Sequence, residues 1–209
     1  MVSLANRRST MVLYTDKTDP SGHAARIVLA EKDISVEIEY VDANDPPQEL
    51  REINPYGGSL TLMDRDLVLY NLPIILEYLD ERFPHPPLMP VDPVARATNR
   101  QLCYRVRRDL YLPVIELHGD NDIAAAAARK TLRDNLTSIA GVFAQKPYFM
   151  SDEYTLADSC MAPILWRIQS FGIKLPGSAK PLQAYSKRLF ERAAFRGSLS
   201  ESERELQTN

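Results

Sequence analysis

Three histidines and two cysteines are the side chains of this 209-residue chain best suited to proton transfer, metal ligation or redox chemistry. His85 has no Cys, Asp or Glu pattern with ligand spacing around it, and His23 and His118 are distant in sequence, so no metal site is expected. Cys103 and Cys160 form no CxxC pair, which argues against a disulfide framework or a zinc knuckle, and both read as buried thiols. No catalytic residue and no cofactor emerge from these groups. His85 stands out for its setting, Phe83-Pro84-His85-Pro86-Pro87-Leu88-Met89-Pro90. Proline lacks the backbone donor and disfavours helix in the residue before it, so this stretch cannot be helical. It is expected to run extended with few donors, displaying the imidazole at the surface. Such a segment suits recognition; a stiff hinge with an incidental histidine is the alternative. Downstream, Arg96, Arg100, Arg105, Arg107 and Arg108 stand against Asp109 and Glu116. This basic stripe reads as a solvated face, with an acidic partner or a phosphorylated ligand as the second reading.

The elements that position these groups follow from periodicity. After a polar leader, Met11 to Tyr14 reads as a strand, and Ala24, Ile27 and Val28 give the span up to Glu31 helical spacing. Val36, Ile38 and Tyr40 alternate with Glu37 and Glu39, the pattern of a half-buried strand that the acidic proline stretch from Asp42 to Pro47 ends. Leu60 to Met63 and Leu67 to Tyr70 flank the turn Asp64-Arg65-Asp66 as a hairpin, and Ile74 to Leu79 opens another helix. The order is βαβ, then ββα. The proline segment marks a domain boundary. Beyond it the pattern is helical throughout: Leu132, Leu136, Ile139 and Phe143 form one stripe, and Leu156, Cys160, Ile164, Ile168 and Phe171 another. Thr155-Leu156-Ala157-Asp158 can cap its own helix start, and a last helix is expected from about Pro181 to Phe195.

Composition bounds the function classes. A hydrophobic fraction of 44% with 25% charged residues describes an ordinary globular chain. A net charge of -3 argues against general nucleic-acid binding, which needs a basic surplus, so any role near DNA is expected to run through protein. No apolar run of about 18 residues is present, and the start has no signal-type apolar core and cleavage site. No membrane association and a cytoplasmic location are therefore expected.

The order of elements and five local motifs resemble the glutathione S-transferase superfamily. The motifs are Arg26-Ile27-Val28-Leu29-Ala30-Glu31-Lys32, Asn54-Pro55, Thr61-Leu62 with Asp64, Glu77-Tyr78-Leu79-Asp80-Glu81-Arg82, and Leu156-Ala157-Asp158. The resemblance implies an α/β plus all-α fold, with a thioredoxin-like N-terminal domain over 10–88 and a C-terminal helical bundle over 94–200. Within the superfamily the chain is most similar to the bacterial branch associated with RNA polymerase, through YLDERFPHPPLMPVDPVAR, QKPYFMSDEYTLAD and the final FERAAFRGSLSESERE. That branch implies a homodimer that binds RNA polymerase holoenzyme in stationary phase and under starvation or acid stress. It also implies Pro84, His85 and Pro86 as the contact surface, with Tyr78 and Leu88 as weaker neighbours.

The resemblance also states what a glutathione enzyme would need. A Ser, Tyr or Cys at the first strand-to-helix turn must lower the pKa of the bound thiol, and here Asp19 takes that position, where a carboxylate repels a thiolate. Ser21 and Tyr14 are the nearby hydroxyls through which the alternative, a glutathione-dependent transferase or reductase, would work. A cis-proline should precede the third strand; the stretch is Ser59-Leu60-Thr61, and a cis bond before Leu60 would cost about 2.5–4 kcal/mol, so a trans bond is expected. A Glu-Ser or Gln-Ser pair should hold the γ-glutamyl carboxylate; Asn71-Leu72 stands there, with Asn71 expected as an N-cap and Pro73 in the first turn. Asp19, Leu60, Thr61, Asn71 and Leu72 thus outline a degenerate glutathione site, and a non-catalytic binding role is expected. A structural or chaperone-like homologue with another partner remains a third reading.

Overall fold

The computed structural model describes residues 11–206; the polar leader read from the start of the sequence lies outside the described residues. Strand β1 (Val12–Thr15) leads into helix α1 (Pro20–Glu31) and back to β2 (Glu37–Tyr40), which pairs parallel to β1 with Val12 opposite Glu37. The hairpin follows: β3 (Thr61–Asp64) pairs antiparallel to β1, and β4 (Leu67–Leu69) antiparallel to β3, giving the order β2-β1-β3-β4. Arg65 closes the hairpin turn at φ 58. The helix after it, to be called α3 below, spans Leu72–Arg82.

Between β2 and β3 the structure adds α2 (Gln48–Ile53), a helix absent from the sequence reading. Alternation along β1 explains its use. Leu13 points into the main core, whereas Val12 and Tyr14 point to the other face and meet Leu50 of α2 there. Strand β2 departs from the half-buried expectation: Ile38 and Tyr40 keep 38% and 41% exposure, because β2 is an edge strand.

The second half is helical. Helix α4 (Pro93–Val106) is capped by Asp92, whose carboxylate accepts from the Ala95 N–H at 2.8 Å. It continues through a π-helical turn, Arg107–Tyr111, into α5 (Leu112–Leu117). The turn has a local cause. Pro113 has no N–H to give the Asp109 carbonyl one α-helical turn back; Leu112 N–H instead bonds to Arg107, and Asn135 Nδ2 donates to the Asp109 carbonyl at 2.8 Å. Asn135 belongs to α6 (Asp122–Ile139), whose Leu132 and Leu136 are fully buried, as its stripe requires.

Helix α7 (Leu156–Arg167) is buried from Leu156 through Leu165 on every side, more than a stripe implies, since it runs between α1, α4 and the helix that follows it. Asp158 performs the expected capping. Its carboxylate accepts from the Thr155 N–H and hydroxyl at 2.8 and 2.9 Å, from the Phe149 N–H at 2.8 Å and from the Tyr185 hydroxyl at 2.6 Å. Burial pushes the Asp158 pKa above the usual carboxylate range, and these donors draw it back only in part.

The single last helix expected from Pro181 to Phe195 is broken. Helix α8 (Lys180–Phe190) stops, Arg192 is extended, and α9 (Ala193–Ser198) and α10 (Glu201–Glu205) turn back over α1. Arg192 accounts for the break: its guanidinium forms a fork on Glu31 with both contacts at 2.6 Å and lies 4.1 Å over the Tyr154 ring. No described helix is long and apolar enough to cross a membrane.

Candidate functional site

The proline segment leaves α3 at Arg82 and is exposed at Pro84, His85, Pro86 and Pro87. It is not the extended run expected from its composition: the chain bends, and His85–Pro86 is the one cis peptide among the described residues. A buried pair beneath it accounts for the shape. Lys32, at the C-terminal cap of α1 with a fully buried side chain, donates at 2.5 Å to both the Asp80 carboxylate and the Pro86 carbonyl. The same Asp80 oxygen accepts the Leu88 N–H at 2.8 Å, and the Leu88 carbonyl accepts from Leu156 N–H at the start of α7. One ion pair therefore fixes the loop at two backbone points. Leu88 is only 3% exposed and belongs to the core, so it anchors the segment instead of lining its surface. Tyr78 is half-buried on α3, and its hydroxyl donates to Asp64 at 2.5 Å.

The residues expected to outline a degenerate glutathione site begin at the other end of α1, with Asp19. Asp19 is the N-cap of that helix: its carboxylate accepts from Ser21 N–H at 2.9 Å and Gly22 N–H at 3.2 Å. These are the donors a helix start offers to an external anion, and a side chain of the same chain occupies them. The bond before Leu60 is trans, and Thr61 is fully buried, its hydroxyl accepting from Asn54 Nδ2 at 3.0 Å. Leu72 is 3% exposed and has joined the core. Asn71 holds the N-cap position of α3 as expected, but its side chain makes no cap bond; it sits at φ 112, and its Oδ1 accepts from Arg107 Nη1 at 3.1 Å. A φ of that sign in a non-glycine residue holds strain, here in a loop tied to the π-helical turn after α4 by Arg107. Tyr14 is buried with Val12 and Leu50 on the far face of the sheet.

Between these elements lies a cleft of about 430 Å³ walled by Ser21, Cys103, Tyr104, Arg107, Arg108 and Tyr111. Three arginines of the basic stripe that borders it are paired: from α3, Glu77 takes a fork from Arg100 with contacts from 2.7 to 3.1 Å and Glu81 lies 3.5 Å from Arg96, while Arg105 reaches Asp109 one turn on at 3.8 Å. The solvated-face reading holds for those three. A larger hollow of about 680 Å³ lies elsewhere, among Ile168, Leu175 and Phe190, and includes none of the expected site residues.

Sequence reasoning missed two buried ionic assemblies. One is the Lys32–Asp80 pair, both members of which lie in the motifs noted above without any sign of their pairing. The other centres on Glu203, fully buried on α10, which accepts from Arg26 of α1 at 2.6 Å and from Arg167 of α7. His23 joins them: its Nδ1 is 3.1 Å from Arg167 Nη1, which donates to it, and its Nε2 is 3.1 Å from Ser198 Oγ. Burial first, then Arg167 and Arg26, push the His23 pKa well below its ordinary value, so the ring is neutral. Among the described residues no cluster of His, Cys, Asp and Glu side chains could hold a metal ion.

Comparison with known proteins accords with this geometry. Residues 13–87 match the family model for the glutathione S-transferase N-terminal domain, and residues 103–193 that for the C-terminal domain. The chain is similar to glutathione S-transferase 1 from rice, solved in complex with glutathione, with a TM-score of 0.82 at 23% identity over 95% of this chain and 94% of that one. It is 50% identical to the stringent starvation protein A homolog of Pasteurella multocida over 97% of this chain and 96% of the relative. It is 48% identical to the homolog of the same name from Coxiella burnetii, over 96% of each. A shared fold with transferases, together with this identity over nearly the full length, establishes that the chain belongs to the stringent starvation protein A family of the glutathione S-transferase superfamily.

Proposed function

We propose that this chain is a non-catalytic transcription regulator that binds RNA polymerase holoenzyme as a homodimer, in the stationary phase and under stress, through Pro84, His85 and Pro86. The observation that carries the reading is the exposed Pro84-His85-Pro86 loop held from within by Lys32 and Asp80. A segment rich in proline and fixed at two backbone points presents a constant surface to a protein partner. The family resemblance supplies the identity of that partner. Leu88 contributes through its backbone, and Tyr78 flanks the loop from α3.

Catalysis on glutathione is disfavoured by three separate features: the Asp19 carboxylate on the α1 donors, a trans peptide before Leu60, and a core leucine at 72. The rival reading would run through Ser21, which lines the cleft. A tagged wild-type chain is expected to co-purify with RNA polymerase, and the triple variant Pro84→Ala, His85→Ala, Pro86→Ala to lose the enzyme while keeping its circular dichroism. Retention on immobilised glutathione with conjugation of a model electrophile would overturn the reading.

A further inference from the structure

Helices α9 and α10 lie over α1 as a strap, tied down through one buried cluster. Arg26 of α1 donates from Nε to the Ser198 carbonyl at 3.0 Å and from Nη2 to Glu203 at 2.6 Å, and Arg167 of α7 donates to the other Glu203 oxygen. Ser200 Oγ adds a bond to the Lys17 carbonyl at 2.8 Å. His23, fully buried, sits among these groups. A guanidinium has no acceptor, so Arg167 Nη1 donates to His23 Nδ1. The ring proton is therefore on Nε2, which donates to Ser198 Oγ at 3.1 Å, and that hydroxyl donates to the Phe195 carbonyl at 2.7 Å. This chain of donors runs in one direction and leaves no acceptor for a second ring proton, because an N–H on Nδ1 would face an N–H of Arg167. The charges around the ring exclude that proton as well. Those that face it are Arg26 from its own helix, Arg167 from α7 and Glu203 from α10, whose nearer oxygen, 3.6 Å from Nδ1, already serves Arg167. From α9 the ring meets Ser198 and Phe195, and the loop before α1 gives the cluster the Lys17 and Thr18 carbonyls. An imidazolium here would set three buried cations against one carboxylate.

We propose that α9 and α10 form an acid-released strap: a proton taken up by His23 unseats them from α1 and leaves the rest of the fold closed. The strap is the side that can yield. Helices α1 and α7 carry the other members of the cluster within the main core, whereas Ser198 and Glu203 stand on helices of 6 and 5 residues, too short to persist alone. Phe195 is the last buried apolar side chain among the described residues. Arg192 marks the hinge, extended and held by its fork on Glu31, so the lifting stops there. With the strap raised, His23 meets water and titrates near the ordinary histidine value of about 6.5. A proton bound only in the open state raises the opening equilibrium about 30-fold between about pH 7.5 and 5.0. The Lys32–Asp80 clamp lies toward the other end of α1, so the strap works apart from the proposed polymerase contact.

The test follows hydrogen–deuterium exchange of the full-length chain by peptide mass from about pH 7.5 to 5.0, corrected for the intrinsic pH dependence of exchange. The expected result is a gain of about 30-fold in opening for peptides within 193–206, beginning near pH 6.5, while peptides from α7 change far less. The chain's single tryptophan gives a second readout, since Trp166 Nε1 donates to the Glu203 carbonyl at 2.8 Å and its ring lies 5.1 Å from Phe195. Its emission should shift reversibly over the same range while the far-ultraviolet circular dichroism keeps most of its helical signal. In His23→Gln, whose amide can accept from Arg167 and donate to Ser198, both responses should flatten. If that variant does not fold, the wild-type onset decides. An onset only below about pH 5 would assign the proton to a carboxylate and overturn the proposal. Equal gains in exchange along the whole chain, an unchanged strap, or a His23→Gln profile as steep as the wild type would overturn it too.

Discussion

Helix α1 takes part in two buried ionic assemblies, and they differ in where their spare hydrogen bonds go. Lys32 and Asp80 are one cation and one anion, and what each has left over is spent on loop backbone, the Pro86 carbonyl and the Leu88 N–H. Around Glu203, one carboxylate serves two guanidinium groups, and Arg26 keeps one buried nitrogen, Nη1, with no partner. That assembly reaches along the chain: Arg26 and Glu203 are 177 residues apart. The first converts ion pairing into the shape of a surface loop, and the second converts it into closure of the fold's last turn over its first helix. Damage to one should appear as lost recognition, and damage to the other as lost stability.

Glu203→Ala is expected to have the largest effect. It strands two buried guanidinium groups and should cost about 5 kcal/mol, the upper end for breaking a buried pair, measured as a fall in the urea midpoint. Lys32→Met leaves Asp80 one backbone donor and frees the Pro86 carbonyl; a loss of about 3 kcal/mol is expected. Its sharper signature is binding: polymerase retention should fall in Lys32→Met at a temperature where the variant is still folded, whereas a Glu203 variant that remains folded should retain it. Equal losses of retention would erase the distinction between the assemblies.

The sign of the pH effect separates them again. Because the folded-state pKa of His23 is depressed below 6.5, the unfolded chain binds a proton that the folded one refuses. Stability should therefore fall as pH drops below that value, by at most about 1.4 kcal/mol per pH unit from this residue. Urea midpoints between about pH 7.5 and 5.5 should slope more steeply for the wild type than for His23→Gln, and parallel slopes would remove His23 from the account. The smallest effect is expected at the rim. Glu31 sits next to Lys32 but pairs with a partly exposed Arg192; Arg192→Lys keeps the charge, loses the fork and the stacking on Tyr154, and should cost about 1 kcal/mol by thermal melting.

Much of this architecture was legible in the sequence because it depends on neighbours. The strand and helix periods of the first half, the hairpin around Arg65, the Thr155–Asp158 cap and the stripe of α6 rest on residues within a few positions of one another. Helix α2 escaped because six residues between a proline stretch and Asn54 are too few to show a period. The break after α8 escaped because its cause, the Arg192 grip on Glu31, spans 161 residues. The site divides in the same way. The departures at Asp19, Leu60 and Leu72 could be read from the sequence because the superfamily resemblance says which residue types a glutathione site uses at those positions. The placement of Leu88 in the core and the bond from Arg107 to Asn71 needed the tertiary structure, since nothing local distinguishes them from a surface leucine and a capping asparagine.

The clamp under the proline loop has a consequence for how any partner meets it. A loop ordered only on contact would draw its ordering entropy from the association free energy and slow the encounter. Here Pro84, Pro86 and Pro87 restrict the backbone torsions, and Lys32 and Asp80 hold the chain at Pro86 and Leu88 before a partner arrives. Docking then resembles the meeting of two rigid surfaces: association is governed by diffusion and orientation, and differences between variants of the loop should emerge chiefly in how quickly the complex comes apart.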